Sequence, residues 1–173
     1  MAWGWQEKGP RGARGVTEPW GNNDQIKKHL EKIRGENLTR CGAYNLFRNQ
    51  GKVKGLGPSY FTKLLYFFSP AQNFWIMDQW TSKSINLLTG EHLVQISGSS
   101  PSDKNKGGNY QAYCEEVDAL AILLKTNGDE IEQRLMSKGN PNPWPWRKHV
   151  VDHCDYNRTK MQELYPHIPR GEL

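Results

Sequence analysis

A glycine turn and an aspartate 23 residues beyond its first glycine constrain this chain more than any other feature. Gly55-Leu56-Gly57 forms a tight turn, and Pro58 follows where a helix accepts proline at its first position. Phe61, Leu64, Leu65 and Phe68 recur at i, i+3, i+4 and i+7, which predicts one core face of a helix. Ser59, Thr62, Lys63 and Tyr66 fall on the opposite face, the one expected to meet a partner. Ser69-Pro70 ends that helix, because proline removes a donor and biases its predecessor away from helical angles. Phe74-Trp75-Ile76-Met77 carries the chain inward, and Asp78, the first charge since Lys63, opens a new helix.

The turn reads as a phosphate cradle. Amides at a helix start point outward with the positive end of the dipole, and glycine lets backbone approach an anion. Lys52 and Lys54 flank it with two more positive charges. Upstream, residues 39–49 are compatible with a helix, with Cys41, Tyr44, Leu46 and Phe47 as apolar contacts. Helix, hairpin, helix grips one strand of a duplex through its backbone without reading bases; the bland alternative is an ordinary connection between helices. Asp78 also has two readings. It is a good N-cap needing no chemistry, and a fixed carboxylate available for it, and one residue can be both.

The segment resembles the helix-hairpin-helix superfamily of DNA glycosylases, in which a glycine hairpin is followed at about this separation by a catalytic aspartate opening the next helix. GLGPSYFTKLLYF and D-Q-W-T-x-K-S look closest to small bacterial 8-oxoguanine-DNA-glycosylase-fold proteins, over about forty residues. The resemblance implies an all-α bundle in two small lobes, with DNA held at the hairpin (Lys52, Lys54, Gly55, Leu56, Gly57, Ser59, Lys63) and a damaged base flipped into a cleft. Bifunctional members carry a lysine where this chain has Ser59. A lysine amine forms a Schiff base with the sugar and leads to strand cleavage; serine cannot. The resemblance therefore implies a monofunctional enzyme, with Asp78 stabilising the cationic sugar and orienting water. Lys63, one turn beyond Ser59, is the alternative displaced amine. Trp75 and Trp80 bracket the acid in sequence and are candidates to stack on a flipped base, or equally to pack in the core.

The remainder supplies context. Residues 1–22, rich in glycine and tryptophan, read as an extended arm, with Arg11 and Arg14 for DNA or Trp3, Trp5 and Trp20 for grooves on the body; residues 23–173 form one domain. Residues 22–34 predict a helix with an Ile26, Leu30, Ile33 stripe. The helix from Gln79 to Leu88 is expected to turn Trp80, Ser84, Leu87 and Leu88 inward. Residues 96–109 read as a mobile polar loop. Residues 110–125 form the most hydrophobic helix, with Tyr113, Val117, Leu120, Ala121 and Leu124 as its stripe; further helices follow over 129–136 and 147–165.

Three widely spaced cysteines argue against a disulfide framework and leave no four-cysteine iron–sulfur site. His149 and His153 share a helical face as zinc ligands would, yet two packed histidines are the better reading, so no metal is expected. No run approaches the roughly 18 apolar residues of a membrane span. The first residues lack a secretory pattern, which predicts an intracellular, cytoplasmic and nucleoid-associated protein. A net charge of +5 suits a polyanionic partner. The expectation is an all-α protein of roughly seven or eight helices, a monomer acting on double-stranded DNA with a modified base. It needs no cofactor, with a monovalent cation at the hairpin as the one ion the resemblance allows. A non-catalytic helix-hairpin-helix DNA-binding module is the alternative.

Overall fold

A computed structural model describes residues 19, 21–49, 51–139 and 142–154. Within them lie seven helices and one two-stranded hairpin: α1 (Asn23–Gly35), α2 (Arg40–Arg48), α3 (Pro58–Phe68), α4 (Gln79–Thr89), β1 (Ile96–Ser97), β2 (Ser100–Pro101), α5 (Gly107–Leu123), α6 (Gly128–Met136) and α7 (Pro145–His153). The all-α expectation holds. The proposed arm, apart from Pro19, Gly21 and Asn22, lies outside the described residues, as does the end of the last expected helix beyond residue 154.

The local chemistry sets the helix ends. Thr39 caps α2 by accepting the Gly42 amide at 3.1 Å, and Asn127 caps α6 by accepting that of Glu130 at 2.9 Å. Pro58 occupies the first turn of α3, and Gly90 ends α4 in the left-handed conformation at φ 66°. Helices α1, α2 and α3 pack on one another, α4, α6 and α7 do likewise, and α5 lies against both α2 and α6. One continuous core runs through both groups. Its centre is aromatic: Tyr44 stacks on Tyr110 at 5.1 Å between ring centroids, and Phe47 lies parallel to Phe61 at 5.2 Å.

Several faces differ from the periodic expectation. Thr62, expected on the outward face of α3, is fully buried, because its hydroxyl is satisfied by donating to the Pro58 carbonyl at 2.7 Å. Phe68, at the last turn before Ser69-Pro70, is 39% exposed. On α4 the core face is Thr81, Ser82, Ser84, Ile85 and Leu87, while Leu88 is exposed and Trp80 half-buried. Small residues turn inward there because α6 and α7 both pack on this helix. On α5, Leu124 lies past the last turn, exposed beside Ile122 and Leu123, and the buried set starts earlier, at Gly107 and Tyr110. The expected mobile loop is tied down: β1 pairs antiparallel with β2, and buried Asn105 bridges Gln95 by accepting its amide and donating to its carbonyl, both at 2.8 Å.

Candidate active site

The hairpin is built on Val53, which is buried and whose carbonyl accepts the Leu56 amide at 3.1 Å. Gly55 closes the turn at φ 80°, a conformation that costs other residues strain. The Gly57 carbonyl then accepts Tyr60 and Phe61 to start α3, and a Cβ on Gly57 would meet nothing within 4 Å. Backbone is thus open to approach at the positive end of a helix. Ser59 is half-buried in the first turn; Lys63, one turn on, holds its ammonium 5.6 Å from the Tyr60 ring centroid. Lys52 is engaged. Its ammonium lies 3.0 Å from Asp103, which also sits 3.5 Å from the Arg48 guanidinium. The tied-down β1–β2 segment therefore brings an acid to the edge of the cationic hairpin.

Asp78 is the N-cap of α4 in a full capping box. Its Oδ1 accepts the amides of Trp80 at 2.8 Å and Thr81 at 3.0 Å, and the Asp78 amide donates to the Thr81 hydroxyl at 3.1 Å. Among the described residues every hydrogen bond to this carboxylate falls on Oδ1. The capping reading is correct as geometry, and it leaves Oδ2 for other work in a half-buried position.

The run into Asp78 is held at each peptide. The Tyr110 hydroxyl donates to the Trp75 carbonyl at 2.8 Å, and Glu132 accepts the Ile76 amide. The hydroxyls of Tyr113 and Thr81 donate to the Ile76 carbonyl, each at 2.8 Å. The Met77 amide donates to the Thr62 hydroxyl at 3.2 Å, the same hydroxyl that donates to Pro58. Two hydrogen bonds thus connect the first residue of α3 with the residue before Asp78. The hairpin and the carboxylate come in one assembly.

Titratable neighbours surround the acid. Burial pushes Glu132 up to about 8, the Ile76 amide opposes this, and the charge of Asp78 adds to it. Tyr113, fully buried, is raised well above the ordinary tyrosine range, by burial first and the charge of Glu132 second. Arg147, on α7, is lowered by burial and partly restored by Asp78. Its guanidinium donates to the Met136 and Ser137 carbonyls and lies 3.9 Å from the Trp80 ring centroid. Lys83 holds its ammonium 5.5 Å from the same ring. Trp80 is therefore a half-buried indole flanked by cations beside the carboxylate.

Trp75 is built into the core instead. It is 7% exposed, its indole N–H donates to Asp118 at 2.8 Å, and Gly128 gives it room, since a Cβ there would come within 2.1 Å of the ring. The two tryptophans meet different neighbours, Trp75 the Tyr66 ring and Trp80 the Lys83 and Arg147 side chains. A groove of about 840 Å³ along Thr39, Arg40, Asn73, Trp75 and Asp118 touches neither Asp78 nor the hairpin. His149 and His153 stack at 4.2 Å, and no group of three or more potential metal ligands occurs among the described residues.

Sequence reasoning missed Thr62, Tyr110, Glu132 and Arg147. For Glu132 a signal existed: it is the one acid between Ile131 and Leu135 in the apolar stripe of its helix. A family model described as "Putative 8-oxoguanine DNA glycosylase OGG-like protein" matches residues 1–136. Neither the curated proteins nor the solved structures give a match. The matched span takes in the hairpin, Asp78 and Glu132 and stops at the last residue of α6; Arg147 and α7 lie beyond it.

Proposed function

This chain belongs to the OGG-like family, and from that premise we propose that it is a DNA glycosylase hydrolysing the bond between a modified base and its sugar. The observation that carries the reading is the Asp78 carboxylate: one oxygen locked in the cap, the other with no hydrogen bond among the described residues, and the whole tied through Met77 and Thr62 to the hairpin helix. The hairpin amides, with Lys52, Lys54 and Lys63, hold the phosphates of duplex DNA. The target nucleotide leaves the stack and its sugar comes against Asp78. As the glycosidic bond breaks, the departing base takes the electron pair and the sugar becomes cationic. The carboxylate stabilises that cation and orients the water, whose oxygen bonds to C1′ while its proton passes to the departed base. Ser59 stands where a Schiff-base lysine would be needed, so the product is an intact strand with an abasic site. Trp80 is the stacking candidate of the pocket; Trp75 is not required.

The test is a panel of duplexes with modified bases, 8-oxoguanine first, given to the wild type and to Asp78→Asn. Breaks appearing only after hot alkali, and absent with the variant, are the expected result. Breaks without alkali would indicate an amine nucleophile, with Lys63 the first to examine. One observation favours a second reading. The capping box satisfies Asp78 structurally, so a DNA-binding module without chemistry would keep the same residue; binding with no base release across the panel would select it.

A further inference from the structure

We propose that Glu132 is a positioning residue for Asp78, receiving the Ile76 amide from the buried side and so fixing the peptide from which the catalytic segment departs. The proposal rests on the glycosylase reading for its effect on rate, and on geometry alone for its effect on the backbone.

Peptide 75–76 is held at both ends, its carbonyl by Tyr110 and its N–H by Glu132. Peptide 76–77 is also held at both ends, its carbonyl by Tyr113 and Thr81 and its N–H by Thr62. Of these holders, Tyr110, Tyr113 and Glu132 come from α5 and α6, which lie far along the chain from Asp78. Each hydroxyl is a common way to satisfy a buried backbone group. A buried carboxyl is not, because burying it is costly unless it remains protonated. Glu132 is 8% exposed, with Asp78 on one side and Asp129 on its own helix. Tyr110 and Tyr113 face it from α5 and Tyr66 from α3, and Arg147 on α7 is coupled to Asp78.

Held neutral by that setting, Glu132 accepts the Ile76 N–H without placing a second negative charge beside Asp78. Glutamine can do the same; alanine cannot. Leucine fills the space without offering this N–H an acceptor, so it separates the hydrogen bond from simple filling of volume.

The experiment compares wild type, Glu132→Gln, Glu132→Leu and Glu132→Ala by amide hydrogen exchange, duplex affinity and single-turnover base release. Leu is expected to behave as Ala does; a Leu variant that behaves as Gln does would overturn the proposal. With Gln, base release stays within about threefold of wild type and the Ile76 and Met77 amides stay protected. With Ala, duplex affinity is kept while base release falls about 30-fold, and exchange at Ile76 and Met77 rises at least roughly tenfold with the α2 and α5 amides still protected. Wild-type exchange at Ile76 in the Ala variant, or equal loss of rate in both variants, would overturn the proposal. If the Ala variant does not fold, the Ile76 amide shift decides. It should follow the titration of the Glu132 carboxyl itself in the wild type and show no such step in Gln, and an Ile76 shift unmoved while that carboxyl titrates sinks the idea. A wild type that releases no base would count against the glycosylase reading, and the exchange and titration results would still decide this one.

Discussion

The hairpin and the run into Asp78 are held in opposite ways. Residues 51–57 are held chiefly at their two ends, where the His29 ring meets the Gly51 carbonyl at 2.9 Å and the Gly57 carbonyl starts α3, with the Val53–Leu56 bond and left-handed Gly55 between them and the lysines at the surface. Residues 75–78 have their peptide groups gripped by side chains from α3, α4, α5 and α6. The difference fits the roles proposed for the two regions. Attraction to a polyanion acts over roughly 8–10 Å in physiological salt, so a phosphate grip tolerates movement. Stabilising a charge that exists only in a transition state does not, and a misplacement near 1 Å can cost about a hundredfold in rate.

Replacing Asp78 separates the two regions most sharply. Asparagine caps a helix nearly as well as aspartate, so the fold and the duplex affinity of Asp78→Asn should stay near wild type. Base release should fall by about 10³-fold, the scale seen when one preorganised electrostatic group is removed. A matching loss of affinity would mean that the carboxylate serves the grip and not the chemistry.

The buried carboxyl of Glu132 makes a prediction about stability. Its folded value is raised to about 8 from an ordinary 4.5, so between those pH values the folded protein keeps a proton that the unfolded chain has released. Stability therefore falls as pH rises through that window and levels off above about 8, a total on the order of a few kcal/mol. Denaturant melts across pH 4.5 to 9 should show this slope in the wild type and a flatter one in Glu132→Gln. Parallel curves would place the titrating group elsewhere.

Thr62 links the two regions. Thr62→Val keeps the shape, removes the acceptor of the buried Met77 amide, and should cost about 1–3 kcal/mol in a thermal or denaturant melt. Thr62→Ser keeps the hydroxyl and should recover most of it. If base release follows the same order while duplex affinity does not change, the link transmits position from hairpin helix to acid.

How much of this can be read from the sequence depends on what carries the information. The ends of α2, α3 and α4 are legible because Thr39, Pro58, Asp78 and Gly90 act locally, through caps and allowed backbone angles. The placement of Asp78 beyond the hairpin is legible as spacing. Which side of each helix is buried is not fully legible. Periodicity ranks residues by bulk, so it points Trp80 and Leu88 inward, whereas α6 and α7 pack against small Ser82 and Ser84 and leave the large residues at the rim. Thr62 falls on the outer face by pattern because its polarity does not reveal that two backbone groups await its hydroxyl. The Glu132–Ile76 hydrogen bond spans 56 residues, and no local rule reaches that far.

The smallest effects concern the grip. Alanine at both Lys52 and Lys54 should weaken duplex binding regardless of sequence and reduce its salt slope by about one for each phosphate no longer neutralised. An unchanged slope would mean that the hairpin does not hold the phosphates. Asp103 offers the reverse change. Its pair with Lys52 is about half-exposed on both sides (56% and 55%), and such a pair contributes only about 0–1 kcal/mol to stability. A phosphate can therefore compete for the lysine, at the cost of displacing the acid. Asp103→Ala removes that competitor and a negative charge from the hairpin edge. Duplex affinity should rise about two- to fivefold at low salt, the gain should fade at high salt, and the melting temperature should scarcely move. With Lys52 already alanine, the same substitution should lose the share of its effect that runs through that lysine, leaving the share of Arg48, the other cation beside Asp103. If the gain persists in full, Asp103 repels DNA directly and Lys52 is not what it restrains.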